Sequence, residues 1–364
     1  MKHKNIILSL VMAAFFFVMA MFSWFKPSEA FSESERRKLA QFPEFNVKTV
    51  LSGKFMKGFE DYSLDQFPMR DKFRALKANF ALKVLGRSSN NDIYIYEDHV
   101  AKMDYPLNMD SVNRAGQRFN YIYNKYLKDS GAKTYLSLIP DKNYFMAEKS
   151  GMLFYDYEAM ENALLNSCGF AEYIDIKNLL SLEDYYKTDA HWSQDKILSV
   201  AEELLNKMDA KAELQYETLS LPVDFYGVYY GQSALKLKPD TISYLYNPRM
   251  DEYEVYDFQN GKEIPLYSTE KAEGRDGYEF FLSGPLSLVE IKNPHGEKGR
   301  ELVIFRDSFG SSIAPLLAQG YEKVTLADIR YAHPDILCKN INFNNADVLF
   351  LYSDGVINNS ETLK

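Results

Sequence analysis

Histidine and cysteine are both scarce in this chain, with five and two among 364 residues. Cys168 and Cys338 are too few for a disulfide framework and no C-x-x-C spacing is present, which excludes a cystine-stapled scaffold and a cysteine-based metal centre. The pair forms either one bridge or two buried free thiols. No set of side chains has a recognisable ligand spacing, so neither a metal nor another cofactor is expected. Positive charge is short as well: 42 Lys and Arg against 51 Asp and Glu give a net charge of -9. No long basic block lies beyond the N-terminus, so a phosphate backbone would release few counterions on binding, which argues against nucleic acid as a partner. Repeats and low-complexity segments are absent.

Long apolar runs are also missing, with one exception. Lys2, His3 and Lys4 precede a stretch from Ile6 to Phe25 that carries no charge. About 20 residues at a rise of ~1.5 Å span a hydrocarbon core of ~30 Å, so the chain is expected to meet a membrane. Positive charge before the run and no equal cluster after it place the N-terminus inside and the remainder outside. Ser28-Glu29-Ala30 leaves cleavage after Ala30 open, which would make the protein secreted. The length of the run and Trp24 at its edge favour an uncleaved single-pass anchor.

What is abundant is aromatic: 27 Tyr and 25 Phe, beside 46% hydrophobic and 26% charged residues. Such a composition is globular, and a chain of this length buries roughly three quarters of its unfolded surface. The tyrosines serve either a core and sheet faces or a sugar-stacking surface. After a charged lead-in, apolar spacing around Phe55, Phe59, Tyr62, Phe73, Leu76 and Phe80 predicts two helices broken at Pro68. "NDIYIYEDHVAKM" alternates as a hairpin with Glu97-Asp98 in its turn.

Units of helix and strand follow. "GQRFNYIYNKYLKDSG" predicts a helix ending at Gly131, and "AKTYLSLIP" a strand stopped by Pro140. "YEAMENALLNSC" predicts a helix and "AEYIDI" a short strand, while "SQDKILSVAEELLNKM" predicts a helix capped by Ser193. "RELVIF", "KVTLADI" and "ADVLFLY" are three more strands. The alternation predicts an α/β domain with a mainly parallel sheet. Residues 212–294 break the rhythm; they are dense in Tyr and turn residues, carry an Asn260-Gly261 hairpin signal, and read as a β-rich insertion. The expected division is 1–30 as anchor or signal segment, 31–211 with 295–364 as the α/β domain, and 212–294 inserted within it.

Two motifs carry chemistry. In "YYKTDAHWSQD", His191 stands two places after Asp189 and directly before Trp192. In "ELVIFRDSFGSSIAPLLAQG", a strand runs through Arg306, Asp307 and Ser308 into a helix-forming stretch, which presents Ser308 at the carboxyl end of the sheet, where open α/β sheets bind ligands. A serine hydroxyl needs a base to become nucleophilic; His191 supplies it, and Asp189 orients the imidazole. N–H groups of the first helical turn would face a developing oxyanion. The bland alternatives are a polar lead-in to a helix and an Asp-Ser helix cap. The rival base, His333, lacks a carboxylate in the D-x-H relation; His99 and His295 lie in turns or loops.

The segments "SERRKLAQFPEF", "SLDQFPMRDKF", "LSLIPDKNYF", "YYKTDAHWS", "GQSALKLKPD", "IFRDSFGSSIAPLL" and "ADIRY" occur in an order that resembles the DHHW family of membrane-anchored extracellular proteins. That family is similar to SGNH hydrolase-like proteins of the alginate O-acetyltransferase type, and the likeness covers nearly the whole chain after the apolar run. The resemblance implies a three-layer SGNH-like α/β fold, with Ser308 as nucleophile, His191 as base, Asp189 as orienting acid and Trp192 supporting the histidine loop. It also implies acetyl transfer onto a cell-surface polysaccharide, with a multispanning membrane acyltransferase as acyl donor. Two departures stand out: Ala190 replaces the first histidine of the family motif, and Arg306 replaces the glycine of the ordinary G-D-S turn. Arg330 and Tyr331 are candidate substrate contacts, although Arg330 also suits a structural ion pair. The expected function is acyl transfer to or from a surface glycan through an acyl-serine. A wall-binding or assembly scaffold on the same fold is the alternative.

Overall fold

The computed structural model of the protein describes residues 2–213 and 215–364. The chain divides into two compact units: one runs to Asn91 and takes in Tyr230–Lys236, and the other comprises Asp92–Tyr229 and Leu237–Lys364. The segment 212–294, expected as an insertion, lies in the second unit apart from Tyr230–Lys236.

In the first unit Lys2–Phe25 is a single helix. Among the described residues, its Lys4–Phe25 portion alone is long and apolar enough to cross a membrane. Helices Lys54–Asp65 and Arg70–Asn79 follow, broken around Pro68 as its missing N–H and fixed ring require. Phe42 packs edge-on against Phe55, Phe59 and Tyr62, and the Glu35 carboxylate receives both Arg70 and Arg74.

The second unit holds the sheet. Its strands, in chain order, are β1 (Lys133–Ile139), β2 (Glu172–Tyr173), β3 (Glu254–Asp257), β4 (Lys262–Glu263), β5 (Leu288–Lys292), β6 (Glu301–Arg306), β7 (Lys323–Ala327) and β8 (Asp347–Ser353). They line up as β4-β3-β5-β7-β6-β8-β1-β2. From β7 to β2 every pairing is parallel, with Ile304 opposite Leu326 on one side and Leu349 on the other. From β4 to β7 every pairing is antiparallel. The antiparallel wing is built from β3, β4 and β5, all within 212–294. That segment therefore extends the main sheet, and only its hairpin of Glu217–Phe225 with Asp240–Tyr246 stands apart from it. Asn260-Gly261 turns β3 into β4, with Gly261 at φ 66°.

Alternation along the parallel strands makes three layers. Leu302 and Ile304 of β6 and Leu349 and Leu351 of β8 pack with helices Leu198–Lys207 and Gly310–Leu317. Val303, Phe305, Val348 and Phe350 point the other way, onto helices Met109–Ile122 and Tyr157–Ser167. Burying each such side chain contributes about 1.5–3 kcal/mol, so both helical layers are held by the same strands. The predicted hairpin is Ile93–Tyr96 with His99–Lys102, turning at Glu97 and Asp98, both at positive φ. One cap differs from expectation. The helix after the histidine loop begins only at Leu198, because the Ser193 hydroxyl donates to Asp195 and Gln194–Lys196 forms a separate 3-10 turn.

Cys168 and Cys338 are free and buried, and burial pushes each thiol up to about 12. A thiol titration should find no rapidly reacting cysteine in the native protein and two after denaturation; fast native labelling would contradict the burial.

Candidate active site

Residues 185–192 form a tight loop closed at its base by antiparallel pairing of Tyr185 with Trp192 and by a bond from Tyr186 N–H to His191 O (3.0 Å). A buried loop must satisfy its own backbone, and here two distant side chains and the backbone of a third segment do so. Lys142, at the start of the short helix after β1, donates to the carbonyls of Tyr186 (2.8 Å), Lys187 (3.0 Å) and Asp189 (3.0 Å). All three ammonium hydrogens are thereby used. Asp240 accepts from Lys187 N–H (2.7 Å) and from Thr188 through both its N–H (2.8 Å) and its hydroxyl (2.5 Å). Gly227 N–H donates to Thr188 Oγ1 (2.8 Å), and Tyr229 N–H to Thr188 O (3.0 Å). Gly227 has to be glycine, because a Cβ there would lie 2.3 Å from Asp189 Cβ.

The loop and the β6 turn meet at hydrogen-bonding distance. His191 Nδ1 lies 2.5 Å from Asp189 Oδ1, and His191 Nε2 lies 2.7 Å from Ser308 Oγ. Asp189 also accepts from His191 N–H (3.1 Å) and Val228 N–H (2.8 Å). Burial pushes the Asp189 carboxyl up, but the His191 ring and these donors outweigh it and hold the group well below the usual carboxylate range. An ionised Asp189 can only accept, so Nδ1 carries the proton and Nε2 is left to accept from the Ser308 hydroxyl.

A residue that the sequence did not single out completes the histidine's surroundings. Tyr278 stacks flat on the imidazole, with centroids 3.8 Å apart and planes 7° from parallel. Its hydroxyl donates to Ser312 Oγ (2.8 Å), which also receives the Trp192 indole N–H (2.8 Å) and donates to Phe309 O (3.2 Å). Trp192 is thus a buried strut between the histidine loop and the helix after Ser308. Gln194 reinforces the join, donating to Ser312 O (2.6 Å) and accepting from Leu245 N–H (2.9 Å).

The remaining predicted residues separate into structural and cavity-facing groups. Asp307 fixes the turn, accepting from Phe309 N–H (3.0 Å), Ser353 N–H (2.7 Å) and Ser353 Oγ (2.6 Å). Arg306 is buried beneath a cavity of about 240 Å³ that is also lined by His191 and Ser308. Its guanidinium donates to Asp307 O (3.2 Å) and Leu286 O (3.3 Å), lies 3.6 Å from Asp328, and leaves Nε without an acceptor. Its stem packs on Gly310, where a Cβ would come within 2.7 Å of it. Arg330 lines the same cavity while forming a two-pronged pair with Asp328 (2.9 and 2.6 Å); Tyr331 is at the mouth, 45% exposed. The other histidines are engaged away from Ser308: His333 caps the helix Pro334–Leu337, His99 sits in its hairpin turn against Glu97 O, and His295 pairs with Glu252. Among the described residues no group of three or more His, Cys, Asp or Glu is placed to hold a metal ion.

No family model and no curated protein matches the chain. Solved structures do. A DHHW family protein from Eubacterium siraeum superposes with a TM-score of 0.61 at 20% identity, covering 76% of this chain and 95% of that one. Bacillus cereus PatB1 with a sulfonyl adduct gives 0.58 at 19% identity, over 73% and 97%. The O-acetyltransferase domain of Pseudomonas putida AlgJ gives 0.43 at 10% identity, over 73% and 92%. The first two establish that the chain has the fold of the DHHW protein and PatB1.

Replacing Lys142 by Met should leave the carbonyls of Tyr186 and Asp189 without donors, while Lys187 O keeps the Val100 N–H (2.8 Å). An orphaned buried acceptor costs about 1–3 kcal/mol, so the urea midpoint should fall clearly. Burial lowers the Lys142 ammonium to about 7. The folded lysine then binds fewer protons than the unfolded one between about pH 7 and its ordinary 10.5, so its contribution to stability rises with pH across that window. The deficit of Lys142→Met should therefore be larger at pH 9 than at pH 7; an equal or smaller deficit would show that the group stays charged. Gly227→Ala should lower the midpoint by displacing Asp189, and an unchanged midpoint would contradict the close approach.

Proposed function

We propose that the protein transfers an acyl group, an acetyl group in the first instance, to or from a cell-surface polysaccharide through an ester on Ser308. The observation that carries this reading is the continuous chain Asp189–His191–Ser308, with both contacts at hydrogen-bonding distance. In the first half-reaction Ser308 Oγ attacks the carbonyl of an ester or thioester donor, His191 Nε2 takes the serine proton, and the same proton goes to the leaving group. In the second, a sugar hydroxyl attacks the acyl-serine and loses its proton to His191, which returns it to Ser308. Water in place of the sugar makes the same machinery an esterase.

Negative charge developing on the carbonyl oxygen needs donors already in place. The Ser308 N–H donates to no described residue, and Arg306 adds a buried positive charge beside the same cavity. The serine N–H is common to any such turn; the Arg306 charge is what an ordinary G-D-S glycine would not supply. The apolar helix Lys4–Phe25 supports an anchored protein with this unit outside the cell, where its polysaccharide lies, and a multispanning membrane acyltransferase would deliver the acyl group. The fold shared with PatB1, itself captured with a sulfonyl adduct, supports the reading further.

The full-length protein in nanodiscs should acquire one acetyl group from an activated acetyl ester, localised by mass spectrometry to Ser308. Ser308→Ala and His191→Ala should abolish it while keeping the native melting profile, and Asp189→Asn should slow it by several powers of ten. An adduct of equal yield in Ser308→Ala, or none in the wild type, would return the site to a binding or assembly role on a shared fold.

A further inference from the structure

A second cavity, of about 260 Å³, is lined by the residues next in sequence to the reacting pair, Ala190 and Phe309. The two cavities divide between consecutive residues: His191 and Ser308 line one, and Ala190 and Phe309 line the other. The boundary therefore passes through the two turns that hold the nucleophile and its base. Nothing in the acyl-transfer chemistry above uses the second cavity, yet its walls are polar. Tyr229 lines it, and its hydroxyl makes no hydrogen bond to a described residue; Asp104 accepts from Asn359 Nδ2 (3.0 Å) through one oxygen and from no described residue through the other. Asn143 is held in place by Tyr94 (2.7 Å) and by Lys102 O (2.9 Å). Lys142 forms part of the wall but has no hydrogen left to offer, since all three are on loop carbonyls.

These groups select a ligand class. A phenol, a carboxylate oxygen and amides, with the Asp141 carboxyl and the exposed Lys102 side chain also in the wall, suit a molecule rich in hydroxyls that both donates and accepts. An aromatic ring beside them offers a face for a sugar ring. A polymeric acceptor presents neighbouring sugars at fixed spacing, so a site that modifies one of them has a neighbour to grip.

Resting on the acyl-transfer reading, we propose that this cavity is a saccharide subsite, which binds the sugar adjacent to the one whose hydroxyl receives the acyl group from Ser308. The acceptor chain then crosses the Ala190–Phe309 boundary, and its binding places the neighbouring hydroxyl between the acyl-serine and His191. Binding energy from a non-reacting sugar is thereby spent on orientation.

Gly355 allows a direct test. It lines the cavity, and a Cβ there would meet no atom within 4 Å. Leucine at that helical position fills the cavity and favours the helix over glycine. Tyr229→Phe removes the free hydroxyl without changing shape. Both variants and the wild type, full length in nanodiscs, are acetylated with an activated ester. They are then offered the surface glycan of the producing cell, stripped of its esters by mild base. The expected result is acylation of Ser308 at the wild-type rate in all three. The KM for glycan should rise at least tenfold in Gly355→Leu and several-fold in Tyr229→Phe, with little change in discharge to water. A wild-type KM in both variants would overturn the subsite, as would a wild-type acyl-enzyme that discharges to water alone. Failure of the wild type to form acyl-Ser308 is a different result; it removes the acyl-transfer reading, and the subsite with it.

Discussion

One buried ammonium holds the site together. The loop that carries Asp189 and His191 has three carbonyls pointing inward, and of the three only Lys187 O also receives a strand N–H, that of Val100. Lys142 meets all of them with a tetrahedral set of three donors, which a planar guanidinium could not reach from one point. Burying a charge is costly, and Asp189 and Asp240 lie near enough to offset part of that cost. Lys142 can be there because it follows β1. Ser308 follows β6, and Ser353, which clamps Asp307, ends β8. In the sheet these three strands are adjacent, in the order β6-β8-β1, so three groups far apart in sequence converge at one carboxyl edge.

Much of this was readable in advance where the signal is local. The apolar helix, the break at Pro68, the hairpin at Glu97-Asp98 and the parallel strands rest on periodicity and turn chemistry within a dozen residues. The residue types at 189, 191 and 308 also stood out, because a D-x-H pair and a strand-to-helix serine are compact motifs. What the sequence hid depends on single long-range contacts. Tyr278 lies in a Tyr-rich stretch whose periodicity gives no sign that one ring covers an imidazole. Lys142 and Asp240 lie in quoted segments, "LSLIPDKNYF" and "GQSALKLKPD", but no local pattern assigns either to the histidine loop. Gly227 is needed only because the Asp189 backbone passes against it. Ser193 had the chemistry of a helix cap, but Asp195 two residues later takes its hydroxyl, and the helix begins further on.

The segment 212–294, expected as a β-rich insertion within the domain, makes contacts throughout the site. It contributes three strands to the sheet, Asp240 to the histidine loop, Tyr278 to the face of His191 and the Leu286 carbonyl to Arg306. It is a wall of the site. Part of the tyrosine surplus is explained by the same fact: Tyr186, Tyr244, Tyr267 and Tyr278 pack with Phe225, Phe280 and Phe281 in one cluster beside the histidine loop. Such rings combine a large apolar surface with a polar end, which lets them fill a core and still anchor a hydroxyl.

That arrangement bears on how the imidazole is controlled. A histidine acting as base has to present Nε2 to the serine in one orientation and one tautomer. Asp189 sets the tautomer, because several donors keep its carboxylate ionised despite burial. Orientation is set separately, by Tyr278 against one face of the ring and Phe309 near it at 4.8 Å. Ser312 couples the two controls, since its single oxygen ties Tyr278 and Trp192 to the helix that begins just after Ser308. Any shift of the β6 turn would then be transmitted to the ring plane as well as to the nucleophile. The distance between Ser308 and His191 is thus maintained by a cross-brace and does not depend on their own hydrogen bond, which has to break and re-form in every cycle of the proposed reaction.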